Sequence, residues 1–296
     1  MKKTSKSLLT TIIFILFFSL FLYLVLYNSK KTNEFNGKLA LEYIKYQVGL
    51  GPRIPRSEAH DKAASWIISS LEKQKWNVEI QDAVVSGVPI RNIIAKRGTG
   101  KPWIVIASHY DSRILADREK NPYDQIFPVD GANDGASSVA ILLELARVLP
   151  FNRDKQIWLV FFDAEDNGNI PGYDWILGSQ YFVSKLDDKP DKVVILDMVG
   201  DYDLNIFMER NSDPELNNEI WGVASRLGYT QFIPSYKYNL IDDHIPFINA
   251  GIKAVNIIDF DYPYWHTRND TVDKISPESL KVVGDTIIRW LDETSE

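Results

Sequence analysis

Four short apolar runs constrain the fold of this chain more than any other feature of its sequence. They cover residues 103–107, 157–162, 193–196 and 254–258. Nearly continuous apolar runs of this length are typical of strands in a parallel sheet that is covered on both faces. Stretches with helical spacing lie between them, at residues 135–149, 175–185 and 214–227. The alternation predicts an α/β fold, a three-layer αβα sandwich with a mixed, mostly parallel central sheet.

Further elements are predicted before and after this alternation. Apolar side chains recur at helical spacing in residues 39–48 and 58–75, and residues 78–80 and 90–95 favour early strands. A last helix is predicted to start at Pro277, with Ser276 as its cap. The Lys-Arg-Gly-Thr-Gly-Lys sequence at 96–101 lacks the spacing of a phosphate-binding loop, and no helical pattern follows it. We predict a hairpin turn there.

The N-terminal segment has the composition of a membrane span. Residues 8–27 carry no charge and consist mostly of Leu, Ile and Phe. At about 1.5 Å per residue they can cross a hydrocarbon core of about 30 Å. Lys2, Lys3 and Lys6 precede them, which favours a cytoplasmic N-terminus. A cleaved signal peptide is the alternative, although the apolar core is long and no small-x-small cleavage site follows it.

This interpretation divides the chain into regions. We expect a short cytoplasmic tail at residues 1–7, a transmembrane signal anchor at 8–27, a spacer at 28–38 and one catalytic domain at 39–296. The protein would then sit in the cell membrane as a single-pass protein, with its catalytic domain on the extracytoplasmic side.

Composition limits the side chains that are available for chemistry. The chain has no cysteine, which excludes disulfides, thiolate nucleophiles and cysteine-ligated metals. A metal would have to be held by aspartate, glutamate or one of the four histidines, which are His60, His109, His244 and His266. The formal net charge of -7 argues against a nucleic-acid partner, since proteins that bind nucleic acid normally carry a basic patch.

Histidines and carboxylates follow the apolar runs, where the predicted strands end. In chain order they are His109, then Asp163, Glu165 and Asp166, then Asp197, and after a longer loop His266, while Asp134 lies in a turn of small residues before a helix. Ligands of open α/β sheets bind outside the carboxyl ends of the strands. Catalytic zinc is usually held by three His, Asp or Glu side chains, with one position open. The set therefore predicts a zinc site, and adjacent Glu165 and Asp166 suit proton transfer and metal binding.

Each of these residues has a simpler explanation when it is taken alone. A single acid at a strand end is most often a turn or helix-capping residue, and a histidine between Trp265 and Thr267 is usually a packed or surface side chain. Their common position at one sheet edge favours the metal site. We expect His60 to face solvent from the polar side of its helix. We expect His244 to be structural, either opening a short helix or bridging the wall of a pocket.

Five motifs follow one another along the chain. They are His-Tyr-Asp-Ser at 109–112, Gly-Ala-Asn-Asp-Gly at 131–135, Phe-Phe-Asp-Ala-Glu-Asp at 161–166, Asp-Met-Val-Gly at 197–200 and Tyr-Trp-His-Thr at 264–267. Together they resemble the motifs of the zinc-dependent aminopeptidases and of their relatives, the glutaminyl-peptide cyclotransferases. The resemblance runs from about Gly51 to the C-terminus. It implies a zinc cofactor and, as substrates, the N-termini of peptides or proteins.

The resemblance also implies a zinc site and a proton carrier. Asp134, Asp166 and His266 would bind one zinc ion, and Glu165 would carry protons. Both branches of the family usually have Glu-Glu where this chain has Glu165-Asp166. The implied ligand Asp166 is therefore one methylene shorter, and the backbone or the metal would have to shift to meet it.

The two branches differ in the rest of the site. The Asp-Asp-His-Ile-Pro-Phe sequence at 242–247, taken with Trp265, resembles the cyclotransferases more closely. In that branch Asp243 and Trp265 would complete the substrate pocket. In the aminopeptidase relatives, the positions of His109 and Asp197 would help to hold a second metal, and both residues are present here.

Three hypotheses of function follow from these residues. The first is a glutaminyl cyclase, which converts an N-terminal Gln to pyroglutamate and releases ammonia. The second is a zinc aminopeptidase with one or two metals, in which Glu165 deprotonates the attacking water. The third is a membrane-anchored binding module that has lost catalysis, and the intact Glu165 and metal set argue against it.

Overall fold

The computed structural model of the protein describes residues 34–151 and 154–294, and in this part of the chain the strands form one central sheet and a small second sheet. The strands are β1 (Asn77–Val85), β2 (Val88–Arg97), β3 (Trp103–His109), β4 (Gln156–Phe162), β5 (Lys192–Asp197), β6 (Ile206–Met208), β7 (Phe232–Tyr236) and β8 (Ala254–Ile258). The central sheet has the order β1-β2-β4-β3-β5-β8, and β6 pairs with β7.

The central sheet is mixed. The neighbours β4, β3, β5 and β8 run parallel, whereas β2 is antiparallel to both β1 and β4. The predicted α/β fold with a mixed central sheet is confirmed. The parallel strands bring all their carboxyl ends to one edge of the sheet, which positions the residues that follow them.

Helices alternate with the strands. They are α1 (Gly37–Gly49), α2 (Glu58–Lys73), α3 (Ala136–Val148), α4 (Leu177–Ser184), α5 (Pro214–Arg226), α6 (Ile245–Asn249) and α7 (Pro277–Glu293), with a 3-10 turn at Val272–Lys274. The predicted start of the last helix is confirmed, because the Ser276 hydroxyl accepts a hydrogen bond from the backbone N–H of Ser279. The membrane span predicted at residues 8–27 lies outside the described residues. Among the residues that are described, no helix is long and apolar enough to cross a membrane.

Helices cover both faces of the sheet. On one face, Ile106 and Leu159 belong to a core that includes side chains of α1, α2, α3, α5 and α7. On the other face, Val105 and Val160 pack with Phe182 of α4 and Phe247 of α6. Successive strand residues point to opposite faces of a sheet. Both sets of side chains in a central strand are therefore buried, which explains why these strands are continuous apolar runs in the sequence.

The hairpin turn predicted at residues 96–101 is wrong. The chain leaves β2 there, but β2 pairs with β1 and β4, while β3 takes a place between β4 and β5. All residues of β3 are buried, so this strand is covered best in the interior of the sheet. The hairpin of this region joins β1 and β2 instead. Its two-residue turn, Ser86-Gly87, has φ of 50° and 83°, as the turns that suit twisted hairpins require.

Candidate metal centre and substrate pocket

The predicted metal ligands meet at the carboxyl edge of the parallel strands. His109 ends β3, Asp197 ends β5, and Asp166 follows β4 by a short turn. Asp134 lies directly before α3, and His266 comes from the loop after β8. All five side chains are buried. The structure therefore brings together residues that are far apart along the chain.

Asp134, Asp166 and His266 form one group that could hold a metal ion. His266 Nε2 lies 2.8 Å from Asp166 Oδ1 and 3.7 Å from Asp134 Oδ2. One ligand atom from each residue lies within 4.8 Å of the others. These are the three residues that the family resemblance implied for the first zinc. Asp166 belongs to the group although its side chain is one methylene shorter than the glutamate that is usual in the family.

His109, Asp134 and Asp197 form a second such group. His109 Nε2 lies 3.1 Å from Asp134 Oδ1 and 3.2 Å from Asp197 Oδ1. Asp134 belongs to both groups and presents one carboxylate oxygen to each histidine. Because the two groups share Asp134, they could hold either one metal ion or two.

The donor set suits zinc. Its atoms are histidine nitrogens and carboxylate oxygens, which are common zinc ligands. Burial raises the pKa of Asp166 to about 6, and the negative charge of Asp134 acts in the same direction. Burial also raises the pKa of Asp197 to about 7. Carboxylates that are crowded together and withdrawn from water are stabilised by a bound cation, so these residues fit the metal that their pattern predicts.

The loop that carries Asp134 is fixed by residues for which the sequence analysis proposed no role. Asp270 accepts hydrogen bonds from the backbone N–H groups of Asn133 and Asp134, at 2.8 and 3.2 Å. The guanidinium of Arg53, which is fully buried, donates to the backbone carbonyls of Asp130 and Gly131, both at 2.7 Å. These partners are separated from the loop by more than seventy residues, so no local pattern indicated them.

Asp111 fixes the turn that carries Glu165 and Asp166. Its carboxylate accepts hydrogen bonds from both backbone N–H groups, at 3.1 Å for Glu165 and 3.3 Å for Asp166. It also lies 3.5 Å from His109 Nδ1. One buried carboxylate thus touches the turn after β4 and the histidine that ends β3.

Glu165 lines a pocket beside the metal groups and is only 6% exposed. Burial raises its pKa well above the usual range, and although His109 opposes the shift, the charges of Asp242 and Asp166 add to it. A carboxyl group in this environment holds a proton more readily than an exposed glutamate does. That property suits a group that must take up a proton and give it back.

The pocket has a volume of about 300 Å³. Its polar lining consists of Asn239 and five carboxylates, from Asp134, Glu165, Asp166, Asp197 and Asp242. Its apolar walls include the aromatic side chains Trp175, Phe260 and Trp265 together with Met198, Leu240, Ile241 and Ile258. This volume is at the small end of the range for ligand sites. The pocket therefore suits one side chain and its backbone rather than a large ligand.

The two acids of the Asp242-Asp243 pair occupy different places. Asp242 lines the pocket, and its carboxylate accepts a hydrogen bond of 2.6 Å from Asn256 Nδ2. Asp243 is fully buried and is not among the lining residues. Its charge still acts on Glu165. Asp243, which was predicted to complete the pocket, therefore lies behind the pocket wall, whereas Asp242 forms part of that wall.

The remaining two histidines bind carboxylates inside the protein. The prediction that His60 faces solvent is wrong, because His60 is 7% exposed and its Nε2 lies 2.8 Å from Asp163 Oδ1. The free-energy cost of burying this nitrogen is offset by its hydrogen bond to a buried carboxylate. His244 stands just before α6 and lies 3.1 Å from Glu209 Oε2. That placement agrees with a structural role at the start of a short helix.

Comparison with known proteins places the fold and the site in one family. The sequence profile of peptidase family M28 matches residues 92–291, which include all the candidate metal ligands. The chain belongs to peptidase family M28.

Several relatives of this M28 chain resemble it over most of its length. The glutaminyl-peptide cyclotransferase of Drosophila melanogaster is 27% identical over 274 residues, which cover 78% of this chain and 75% of that protein. The crystal structure of the Tannerella forsythia glutaminyl cyclase is 33% identical and superposes with a TM-score of 0.84, covering 88% of this chain and 100% of that one. A Zn-dependent exopeptidase from Parabacteroides distasonis is 30% identical with the same TM-score of 0.84, covering 89% and 100%. Membership of this M28 group makes the chain an enzyme of the cyclase or the exopeptidase type.

Proposed function

We propose that this M28 chain is a zinc-dependent glutaminyl-peptide cyclotransferase, which converts an N-terminal Gln to pyroglutamate and releases ammonia. The observation that carries the proposal is the environment of Glu165. Its carboxyl group faces a small pocket, and burial, together with the charges of Asp242 and Asp166, raises its pKa. A cyclase needs such a group because the same carboxyl must receive one proton and deliver one within a single turnover.

The chemistry requires one bond to form and one to break. The α-amino nitrogen of the substrate attacks the side-chain amide carbon of the same residue, and the bond from that carbon to the amide nitrogen breaks. Glu165 takes a proton from the attacking nitrogen and gives a proton to the nitrogen that leaves as ammonia. Zinc held by Asp134, Asp166 and His266 would supply a Lewis acid that polarises the amide carbonyl. No water is consumed.

The walls of the pocket support a reaction without water. Trp175, Phe260 and Trp265 present large apolar surfaces around the carboxylates. Aromatic walls reduce the space for water beside the reacting atoms and hold the flexible Gln side chain in a folded conformation. The similarity to the Tannerella forsythia glutaminyl cyclase over 88% of this chain further supports the proposal.

A zinc aminopeptidase of the same fold is the second candidate. The observation that favours it is the group formed by His109, Asp134 and Asp197, which could hold a second metal. In that enzyme Glu165 would deprotonate a water molecule that attacks the first peptide bond. The similarity to a Zn-dependent exopeptidase supports this alternative as well.

A paired assay separates the two candidates. The purified protein would be given a peptide with N-terminal Gln, with ammonia release as the readout, and separately a series of amino-acid anilides, while zinc per chain is counted in the same preparation. We expect ammonia release, little hydrolysis and one zinc per chain. Hydrolysis with two zinc ions and no ammonia would instead establish the aminopeptidase.

We also propose that residues 8–27 anchor the protein in the cell membrane, with the catalytic domain on the extracytoplasmic side. The uncharged apolar composition of this stretch and the preceding lysines support the proposal. The full chain should stay with membranes after an alkaline carbonate wash, and external protease should reach the catalytic domain. Release of a shortened protein into the medium would point to cleavage instead.

A further inference from the structure

A buried arginine next to the metal centre contacts several parts of it. The side chain of Arg113 is 2% exposed, and its Nη1 donates a hydrogen bond of 2.7 Å to the backbone carbonyl of Asp166. Its Nη2 donates to the backbone carbonyl of Gly168 at 3.2 Å. The main chain that carries Asp166 into the site is thus held from behind by a guanidinium.

The same guanidinium binds a carboxylate. Nε and Nη2 of Arg113 donate to the two oxygens of Asp117, at 2.8 and 2.6 Å. Such paired contacts fix both position and orientation. Asp117 is 40% exposed on its other side, so it can be changed with less risk to the fold than a fully buried residue.

Asp117 in turn contacts the metal-binding histidine. Its Oδ1 lies 3.4 Å from Nδ1 of His266, whereas Nε2 of the same ring lies 2.8 Å from Asp166. A carboxylate beside Nδ1 favours the tautomer with its proton on that nitrogen, which leaves the lone pair of Nε2 free for a metal. The arrangement fixes which nitrogen of His266 faces the site.

Two further contacts hold His266 in place. The backbone N–H of Arg118 donates to the His266 carbonyl at 3.2 Å. His266 has a φ of 56°, a left-handed conformation that other contacts must stabilise in a residue with a side chain. The ring of Trp175 lies parallel to His266, with 6.1 Å between ring centroids, and the guanidinium of Arg113 lies 5.0 Å from the Trp175 ring.

We propose that Arg113 and Asp117 are positioning residues that set the zinc affinity of the site formed by Asp134, Asp166 and His266. Arg113 fixes the backbone of one ligand, and Asp117 fixes the ring of another. The inference rests on the zinc site of the proposed function, but it holds for either reaction at that site.

The shorter ligand makes this support more important. An aspartate carboxylate is only one methylene from its backbone, so its position follows the main chain closely. A glutamate at the same place could adjust through an extra rotatable bond. The contact between Arg113 and the Asp166 carbonyl therefore compensates for a side chain that has less freedom to reach the metal.

The test measures zinc affinity directly, by competition with a chelator in the full chain. We expect Asp117→Asn to bind zinc 10-fold to 100-fold more weakly, as changes to partners of metal-binding histidines usually do. Asp117→Glu should recover part of that loss. Asp82→Asn is the matched control, since Asp82 binds Arg91 through the same pair of contacts, at 2.7 and 3.1 Å, on the exposed β1–β2 hairpin. Its zinc affinity should equal that of the unchanged protein.

Two further measurements separate positioning from a general structural effect. The metal-free Asp117→Asn protein should remain folded at the temperature of the zinc assay, although it should unfold at a lower temperature than the metal-free unchanged protein because the buried Arg113 loses its charged partner. The visible spectrum of bound Co²⁺ should change because the ligand geometry has changed. Equal zinc affinity in the two proteins would overturn the inference, as would a loss of affinity that only accompanies unfolding. Failure of the unchanged protein to bind zinc would instead contradict the proposed function.

The role assigned to Arg113 has its own test. Arg113→Met should weaken zinc binding strongly when residue 166 is Asp, and less strongly in the background of Asp166→Glu. A double-mutant cycle over these four proteins gives the coupling between the two positions. Coupling is expected to be at least about threefold in affinity, equivalent to more than about 0.6 kcal/mol. Additive effects of the two changes would contradict the proposed compensation.

Discussion

Nε2 of His60 lies 2.8 Å from Oδ1 of Asp163, so a histidine of the second helix holds the end of the strand that leads to Glu165. Asp163 also accepts a hydrogen bond of 2.8 Å from the backbone N–H of Arg91. The ring of His60 stacks on Tyr110, with 5.0 Å between centroids. A residue that was expected on a helix surface is therefore one of the supports of the turn that carries Glu165.

Replacing this histidine should destabilise the protein. His60→Leu leaves the buried Asp163 carboxylate short of a partner, which should lower the free energy of unfolding by about 1–3 kcal/mol. Lys62→Gln is the control, since Lys62 lies exposed on the same helix, and it should change stability by no more than about 0.5 kcal/mol. Urea denaturation measures both. Equal stability of the two variants would show that the contact contributes nothing.

The same pair should make stability depend on pH. Although burial opposes it, the carboxylate of Asp163 raises the pKa of His60 above its usual value of 6.5. The folded protein then binds this proton more tightly than the unfolded chain, so the contribution is complete below pH 6.5 and is lost as the pH rises through the raised pKa. Between pH 6 and pH 8 the free energy of unfolding should decrease more in the unchanged protein than in His60→Leu.

Glu165→Gln should remove most activity and leave the metal in place. The amide cannot carry a proton, and the loss of a general acid–base typically lowers the rate by about 10²-fold to 10⁴-fold. Glu165 belongs to neither group of candidate ligands, so zinc per chain should not change. Normal turnover by a variant that retains its zinc would show that another group moves the proton.

Asp242→Asn should reduce activity more than Asp243→Asn does. Asp242 lines the pocket beside Glu165, and removing its charge should lower turnover by about tenfold or more. Burial raises the pKa of Asp243 well above its usual range, and Asp242 adds to this shift. Asp243 is fully buried behind the pocket wall, so an amide of the same shape should replace it with little loss. Steady-state kinetics of both variants measure the difference, and the reverse order would assign the role to Asp243.

Glu209→Gln should loosen one wall of the pocket. Glu209 Oε1 accepts a hydrogen bond of 3.0 Å from the backbone N–H of Leu240, which lines the pocket, and Oε2 binds His244. We expect KM to rise with little change in kcat, because substrate binding is affected and proton transfer is not. Glu215→Gln, at an exposed position, should leave KM unchanged. A loss of kcat alone would contradict this role.

The contact between Glu209 and His244 should also make the free energy of unfolding depend on pH at low pH. Burial acts against ionisation, but the hydrogen bond from His244 holds the pKa of Glu209 at about 2, below its usual 4.5. The contribution of Glu209 is therefore complete above pH 4.5 and disappears as the pH falls towards 2. The difference in unfolding free energy between the unchanged protein and Glu209→Gln should shrink over that interval.

The positions of the strands and of the candidate ligands along the chain could be inferred from the sequence, because the signals for them are local. Each buried strand is a short apolar run, and His109, Asp166 and Asp197 stand at or just after such runs. Parallel strands must bring these ends together. His109, Asp166 and Asp197 were therefore candidate ligands before their distances were known, whereas the division of the ligands between two metals was implied by the family resemblance.

Pairing and orientation were decided only by the tertiary structure. The hairpin expected at residues 96–101 does not form, because the loop there joins β2 to β3 and these two strands do not pair. Ser86-Gly87 instead joins the paired strands β1 and β2. Asp242 and Asp243 are neighbours in the chain, yet one lines the pocket and the other lies behind it. Backbone angles set by the surrounding fold determine which neighbour points inward, and the sequence of two identical acids contains no such information.

The local sequence of this protein determined its fold class and the residues that can bind a metal, since apolar runs and the acids beside them are short-range features. The tertiary structure decided what supports those residues. Arg53 and Arg113 reach backbone carbonyls more than fifty positions away, at Gly131 and Asp166, and His60 reaches Asp163 over 103 positions. Buried polar groups require partners wherever the fold places them. Those partners become identifiable only when the chain has brought distant segments together.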